Sequence, residues 1–173
     1  MPRYGKRPAA KWGAMPATDE ILQRYLKSSL QDERAVLARY LLRLARDDDA
    51  VIPALLVVVN DENDSTVRLE IVRFLATTRP LSAVHILAKE MFDPDPRVRA
   101  QAAIGIAGYD DARVLVASVA SILNALEDGS TRSYAATAIH TVSGRTPDKV
   151  THSERDRIRR GESAEMVWPD HYD

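Results

Sequence analysis

Few side chains in this sequence are suited to metal binding or acid–base chemistry. The histidines are His85, His140, His152 and His171. None has the His-x3-His or His-Glu spacing of a metal site, and no cysteine is present to complete a zinc site. The patterns G-x-S-x-G, G-x-G-x-x-G and the P-loop are also missing. We therefore expect no metal, no cofactor, no catalytic residue and no enzyme activity.

Arginine is the other residue that could do chemistry, and it recurs at one position of a repeated segment. The recurring residues are Arg68, Arg99 and Arg132. They could form a ladder that binds phosphates or an acidic peptide. Alternatively, each guanidinium could bond to carbonyls and carboxylates at the turns between helices. We favour this structural role, because acidic residues lie near the turns: Asp61, Asp93 and Asp128.

The segment that must position these arginines is repeated along the chain. "ENDSTVRLEIVRFLATTRPL" (62–81) is echoed by "DPDPRVRAQAAIGIAGYDDA" (93–112), 31 residues later. The same shift and a further one of 33 align one column: Val36, Val67, Val98 and Thr131. Apolar residues follow four and eight positions later in each copy, as on one stripe of an α-helix. In the first copy the stripe is Val36, Tyr40 and Leu44.

Each copy predicts one helix, and the amphipathic stretches between the copies predict another. Asp64 and the pair Asp95-Pro96 precede two of the copies and are typical of helix starts. No strand-like alternation of polar and apolar residues occurs. We therefore expect an all-α chain of four helical hairpins, at about 19–46, 50–78, 81–108 and 112–144.

The segments "DSTVRLEIVRFLA" and "DPRVRAQAAIGIAG" resemble the HEAT-repeat family, whose pattern is an acidic residue, Val-Arg, paired small residues and a closing glycine. The resemblance covers about 126 of the 173 residues. It implies a right-handed α-solenoid, a structural role for the recurring arginine, and second helices that line a concave face. The first copy departs from the pattern with Leu37 at the arginine position, as terminal repeats often do.

The outward positions of the second helices are candidates for partner binding on the concave face. They are Arg39, Leu42, Arg43, Arg46, Glu70, Arg73, Gln101, Ile104, Tyr134 and Thr137. A mixture of arginine, aliphatic and aromatic side chains suits a protein partner. An ordinary solvated face is the alternative. We favour partner binding, because curved solenoids offer extended binding surfaces.

The two ends of the chain differ from the repeated part, which spans residues 18–144. Residues 1–17 are basic, contain Trp12, and are expected to form a flexible arm. Residues 145–173 are expected to contain a short polar helix, capped by Ser153 and ended by Gly161, and then an apolar anchor. The anchor is Met166, Val167 and Trp168. It is expected to cover the last hairpin or, failing that, to dock on another chain.

Composition sets broad limits on the class of protein. The formal net charge of -1 argues against a wholly basic nucleic-acid binder, and the absence of cysteine favours a reducing cytosol. The most apolar stretch, 50–59, is too short to span a bilayer, and no apolar segment follows the basic N-terminus as in a signal peptide. We therefore expect a cytoplasmic protein that does not bind membranes.

These observations favour a non-enzymatic protein-binding module, such as an adaptor, a scaffold or an immunity-type inhibitor, whose partner is another protein. One alternative is a nucleic-acid binder that uses the basic arm and the arginines of the first units, with an affinity that falls steeply with salt. The other, by family resemblance, is an enzyme or ligand chaperone similar to the HEAT-like bilin lyases. That alternative requires a concave pocket with convergent polar groups.

Overall fold

The computed structural model describes residues 17–172, and every regular element in this range is helical. The prediction of an all-α fold is therefore confirmed for the described residues. The basic arm predicted for residues 1–17, including Trp12, lies outside the described residues except for Ala17.

Most of the chain is arranged in consecutive helix pairs. The first two pairs are α1 (Thr18–Lys27) with α2 (Gln31–Ala45), and α3 (Ile52–Asp61) with α4 (Ser65–Thr78). The next is α5 (Val84–Glu90) with α6 (Pro96–Ala107), and the last joins α7 (Ala112–Leu115) and α8 (Val119–Ala125) to α9 (Arg132–Ser143). Short 3₁₀ turns occupy Asp49–Val51, Leu81–Ala83 and Val116–Ser118. The pairs are followed by α10 (His152–Arg159) and α11 (Ala164–Val167).

Two helix starts show why the chain turns where it does. The Asp64 carboxylate accepts the backbone N–H groups of Thr66 and Val67 at the start of α4. The Asp95 carboxylate accepts that of Arg97, and Pro96 occupies the first position of α6, where no N–H is needed. Asp64 and Asp95, which the sequence predicts as helix caps, therefore end the preceding turns, because their carboxylates accept hydrogen bonds from backbone N–H groups at the helix starts.

The second helices of the pairs form a continuous series. α2 contacts α4, α4 contacts α6, and α6 contacts α9, while α1 contacts α3 and α5 contacts α8. α6 and α4 approach each other closely at Gly105, where an added Cβ atom would lie 2.8 Å from the Cβ atom of Ala76. A larger residue at position 105 would force the two helices apart. Small residues in the repeated segment therefore set the spacing of these helices.

The first copy of the repeat lies in a different register from the predicted one. Val36 is 65% exposed, and Tyr40 and Leu44 are only partly buried, so the predicted core stripe is wrong here. The buried residues of α2 are Ala35, Ala38, Leu41, Leu42 and Ala45. A shift of 34 instead of 31 aligns Ala38, Leu41 and Leu42 with the buried Val72, Leu75 and Ala76 of α4. Apolar residues of α2 occur all around the helix, so the sequence pattern is compatible with both registers.

The C-terminal segment packs against the last helix pair. Thr151, not Ser153, caps α10, because its side chain accepts the Glu154 N–H while the Glu154 carboxylate accepts the Thr151 N–H. This reciprocal capping box follows the pattern Thr-x-x-Glu, which the sequence contains at residues 151–154. Ser153 does not begin such a pattern. Gly161, with φ 93°, follows the helix in the left-handed conformation that glycine adopts easily.

Candidate functional site

The recurring arginines bond to the turn that begins their own helix. Each guanidinium donates to the backbone carbonyl six residues earlier in the chain. Arg68 donates to Glu62 at 2.8 Å, Arg99 to Asp93 at 2.9 Å, and Arg132 to Leu126 at 2.9 Å. We call the edge formed by these turns, residues 61–64, 93–95 and 126–131, the turn edge. The same contact in successive pairs means that the repeat extends to side-chain geometry.

Two of these arginines also reach the next turn along the chain. Arg68 Nε and Nη2 donate to both carboxylate oxygens of Asp93, at 2.7 and 3.2 Å. Arg99 Nε lies 3.3 Å from the Asp128 carboxylate. The Arg68–Asp93 pair is the more buried, with side-chain exposures of 12% and 4%. Such a pair stabilises the fold mainly because neither charge can be left alone in a buried place.

Arg34 occupies this role in the first pair, where Leu37 was expected. Its Nη2 lies 2.8 Å from the Asp61 carboxylate and donates to the Asp61 carbonyl. The guanidinium also stacks over the ring of the buried Tyr25, 4.3 Å from its centroid. Leu37, predicted at the arginine position, is displaced by the three-residue change of register. An arginine three residues earlier, followed by the acidic turn "NDEND" (60–64), was the available signal.

The outward side of α2, α4, α6 and α9 carries most of the predicted partner-binding residues. We call it the second-helix face, made of Val36, Arg39, Arg43, Glu70, Arg73, Gln101, Ile104, Tyr134 and Thr137. Leu42 does not belong to it, because it is 5% exposed and packs in the core. Arg46 is exposed at the C-terminal end of α2, next to three aspartates. Val36, predicted as core, joins the face through the corrected register.

Two of the four charged residues of the second-helix face form an ion pair, and within the described residues the other two do not. Arg39 lies 3.2 Å from Glu70 across α2 and α4, with both side chains well exposed. Exposed pairs of this kind contribute little to stability. Neither Arg43 nor Arg73 has a carboxylate within 4.0 Å among residues 17–172. The face therefore presents cations together with exposed apolar side chains, notably Val36, Ile104 and Tyr134.

A small pocket at the turn edge contains three buried carboxylates. Glu62, Glu90 and Asp93 line a cavity of about 330 Å³ together with Arg68 and Lys89. Burial, together with hydrogen bonding to Asp93 and charge repulsion from it, raises the pKa of Glu90 to about 7. Glu90 therefore titrates near neutral pH. Within the described residues, no group of three or more such ligands is placed to hold a metal ion.

Two of the histidines line a cleft of about 700 Å³ between α9 and the C-terminal segment. His140 and His171 face this cleft with Asp110, Asp111 and Arg113. The His171 Nε2 atom lies 2.7 Å from the Thr141 carbonyl, so it donates the proton of a hydrogen bond there. His171 therefore helps attach the chain end to α9. No spacing or motif in the sequence predicts that these two residues are neighbours.

The tail residues divide into buried and exposed ones. Trp168 is 2% exposed and Val167 is also buried, whereas Met166 is 67% exposed and is not part of the buried anchor. Met166 lies on the outward side of the short helix α11, one residue before the buried Val167. The segment is held by the Tyr172 hydroxyl, which donates to the Val142 carbonyl, and by Arg159, which pairs with Glu127.

Comparisons with known proteins return no likeness: no family model, no curated protein and no solved structure matches this chain. Among residues 17–172, no helix has the length and apolar character needed to cross a membrane.

Proposed function

We propose that the four helix pairs form a right-handed HEAT-like α-solenoid, with the C-terminal segment as its cap. Three observations support this proposal. The second helices contact one another in series, the first helices do so in part, and one arginine–carbonyl contact recurs six residues apart in three pairs. Stacked pairs of this kind bury a continuous core that no single pair could form alone.

We further propose that this chain binds another protein through the second-helix face and performs no chemistry of its own. The observation that carries this proposal is the exposure of apolar side chains on helices that have no covering element on that side in the described part. Val36, Ile104 and Tyr134 are exposed there, and the same face carries Arg39, Arg43 and Arg73 on α2 and α4. Arginine and tyrosine are among the residues that are enriched in binding hot spots.

A pair of matched surface variants tests the proposal. Ile104→Asp places a charge on the second-helix face, and Val57→Asp places the same charge on α3. The two sites are matched in exposure, 39% for Ile104 and 43% for Val57. Tagged wild type and both variants would be purified from the native host, and co-eluting proteins identified by mass spectrometry.

We expect a partner that is retained by wild type and by Val57→Asp and lost from Ile104→Asp. Loss from Val57→Asp with retention by Ile104→Asp would place the binding surface on the first helices instead. Co-elution of nucleic acid with a steep salt dependence, and of no protein, would support the nucleic-acid alternative.

A further inference from the structure

The second-helix face is asymmetric along the series of helices. Its charged residues all lie on α2 and α4: Arg39, Arg43, Glu70 and Arg73. The part formed by α6 and α9 consists of Gln101, Ile104, Tyr134 and Thr137, and the exposed Arg97 on the same side of α6 is paired with Asp95 at 2.7 Å. A partner that covers the whole face therefore meets a cationic half and a neutral, partly apolar half.

The cationic half has an uncompensated positive charge. Three arginines stand against Glu70, which is already paired with Arg39, and the exposed Asp32 at the start of α2, which has no cation within 4.0 Å among residues 17–172. Arg43 and Arg73 have no carboxylate within 4.0 Å in the described range, 17–172. Covering these guanidiniums with an apolar partner would remove their water without replacing it, which is strongly unfavourable. The partner must therefore supply anionic groups at this half.

Resting on the proposed function, we propose that the partner contributes an extended acidic–apolar segment, with its carboxylates over α2 and α4 and its apolar side chains over α6 and α9. Bidentate bonds between carboxylates and guanidiniums would fix the first half. Contacts with Ile104 and Tyr134 would hold the second. Four neighbouring helices spaced by about 8–10 Å require a segment of about 30 Å, which is about nine extended residues.

The observations favour a protein segment over a nucleic acid for this face. A nucleic-acid backbone carries phosphates along its whole length and needs cations along its whole path. Here the arginines of α6 and α9 are already engaged at the turns: Arg97 pairs with Asp95, Arg99 with Asp128, and Arg132 donates to the Leu126 carbonyl. Glu70 lies among the arginines of α2 and α4. Exposed Val36 and Ile104 also offer nothing to a phosphate.

A synthetic peptide tests this inference independently of the native partner. The probe is a fluorescent peptide of about nine residues, with glutamates in its first half and leucine, phenylalanine and serine in its second. Binding would be measured by anisotropy at an ionic strength of about 0.15 M. Arg43→Glu with Arg73→Glu is the test variant, and Arg113→Glu, an exposed arginine of α7, is the matched control.

We expect measurable binding to wild type, a loss of about tenfold or more in the double variant, and no loss in Arg113→Glu. Exchanging glutamate for lysine in the peptide should abolish binding. A photo-crosslinker on the apolar end of the peptide should label α6 or α9 rather than α2.

Three results would overturn the inference. They are absence of binding to wild type, equal binding to the double variant, or tighter binding of a single-stranded oligonucleotide at the same ionic strength. The proposed function would fail separately. If the native partner still depends on Ile104 while reversal of Arg43 and Arg73 changes nothing, the protein-binding face stands and the acidic segment does not.

Discussion

Arg68 and Arg73 lie on the same helix, α4, yet one is held at the turn edge and the other is exposed on the second-helix face. The Arg68 guanidinium bonds to one carbonyl and both oxygens of Asp93. Arg73 has no ion pair within the described residues. The surroundings, not the residue type, therefore decide whether an arginine of this chain holds the fold together or is available to a partner.

The physical difference between the two surfaces is the supply of acceptors. The turns expose unpaired backbone carbonyls and carry capping carboxylates, which are the groups a guanidinium binds best. The outward side of a helix has its carbonyls bonded within the helix. Arginines on that side can therefore find acceptors only on neighbouring helices, as Arg39 does, or on another molecule.

Arg68→Ala should have the largest effect on stability. It removes one partner of a buried ion pair and leaves Asp93 uncompensated, which we expect to cost about 3–5 kcal/mol. Chemical denaturation followed by far-UV circular dichroism would measure this loss. A loss below about 1 kcal/mol would mean that Asp93 finds another partner, and that the turn edge does not tie the pairs together.

Glu90→Gln should change how stability depends on pH, by on the order of 2–3 kcal/mol at pH 8. The pKa of Glu90 is raised from 4.5 to about 7, so the folded state binds this proton more tightly than the unfolded state. The wild-type free energy of unfolding should therefore fall as pH rises from about 5 to 8. Glu90→Gln should lack this component and be relatively more stable at pH 8.

Denaturation of both proteins at pH 5 and pH 8 would check this prediction. Glu165→Gln, at an exposed position of α11, is the control and should follow the wild type. A constant difference between wild type and Glu90→Gln across this range would show that Glu90 does not titrate there.

Arg99→Ala should cost less than Arg68→Ala, about 1–3 kcal/mol, and Arg132→Ala less than about 1 kcal/mol. Arg99 makes the carbonyl contacts and a partly exposed ion pair, with 22% of its side chain exposed. Arg132 is exposed and donates to one carbonyl. Melting temperatures measured on the three variants should rank in this order. A reversed order would contradict the view that each arginine stabilises the fold in proportion to the burial of its side chain.

Arg73→Ala should have the smallest effect, within about 0.5 kcal/mol of wild type, because no described group depends on this side chain. It is the matched control for Arg68→Ala on the same helix. A stability loss comparable with that of Arg68→Ala would remove the distinction between the two surfaces.

Much of the fold could be predicted from the sequence, and the reason is visible in particular residues. Asp64 and Asp95 start helices where expected, and the stripes from Val67 and Val98 are buried. In these copies the capping residue and the apolar stripe predict the same helix register. In α2 they do not, because apolar residues occur all around the helix and the buried positions are partly alanines. Periodicity alone could not fix the register there.

Most residues of the second-helix face could be predicted from the sequence. The errors follow from the ambiguous register of α2. The change of register moves Leu42 into the core, brings Val36 to the surface and gives Arg34 the role expected at Leu37. Contacts between distant positions could not be read from one sequence. The pairing of Arg39 with Glu70 and the burial of Glu90 depend on how the helix pairs are stacked.

The most direct test of the account measures stability and partner retention together on Arg99→Ala and Arg73→Ala. If the turn edge stabilises the fold and the second-helix face binds the partner, the two variants should differ in opposite ways. Arg99→Ala should melt at a lower temperature than the wild type and, below that temperature, retain the native partner. Arg73→Ala melts like the wild type and retains the partner less well. If Arg99→Ala instead melts like the wild type but loses the partner, the turn edge is the binding surface and the account is wrong.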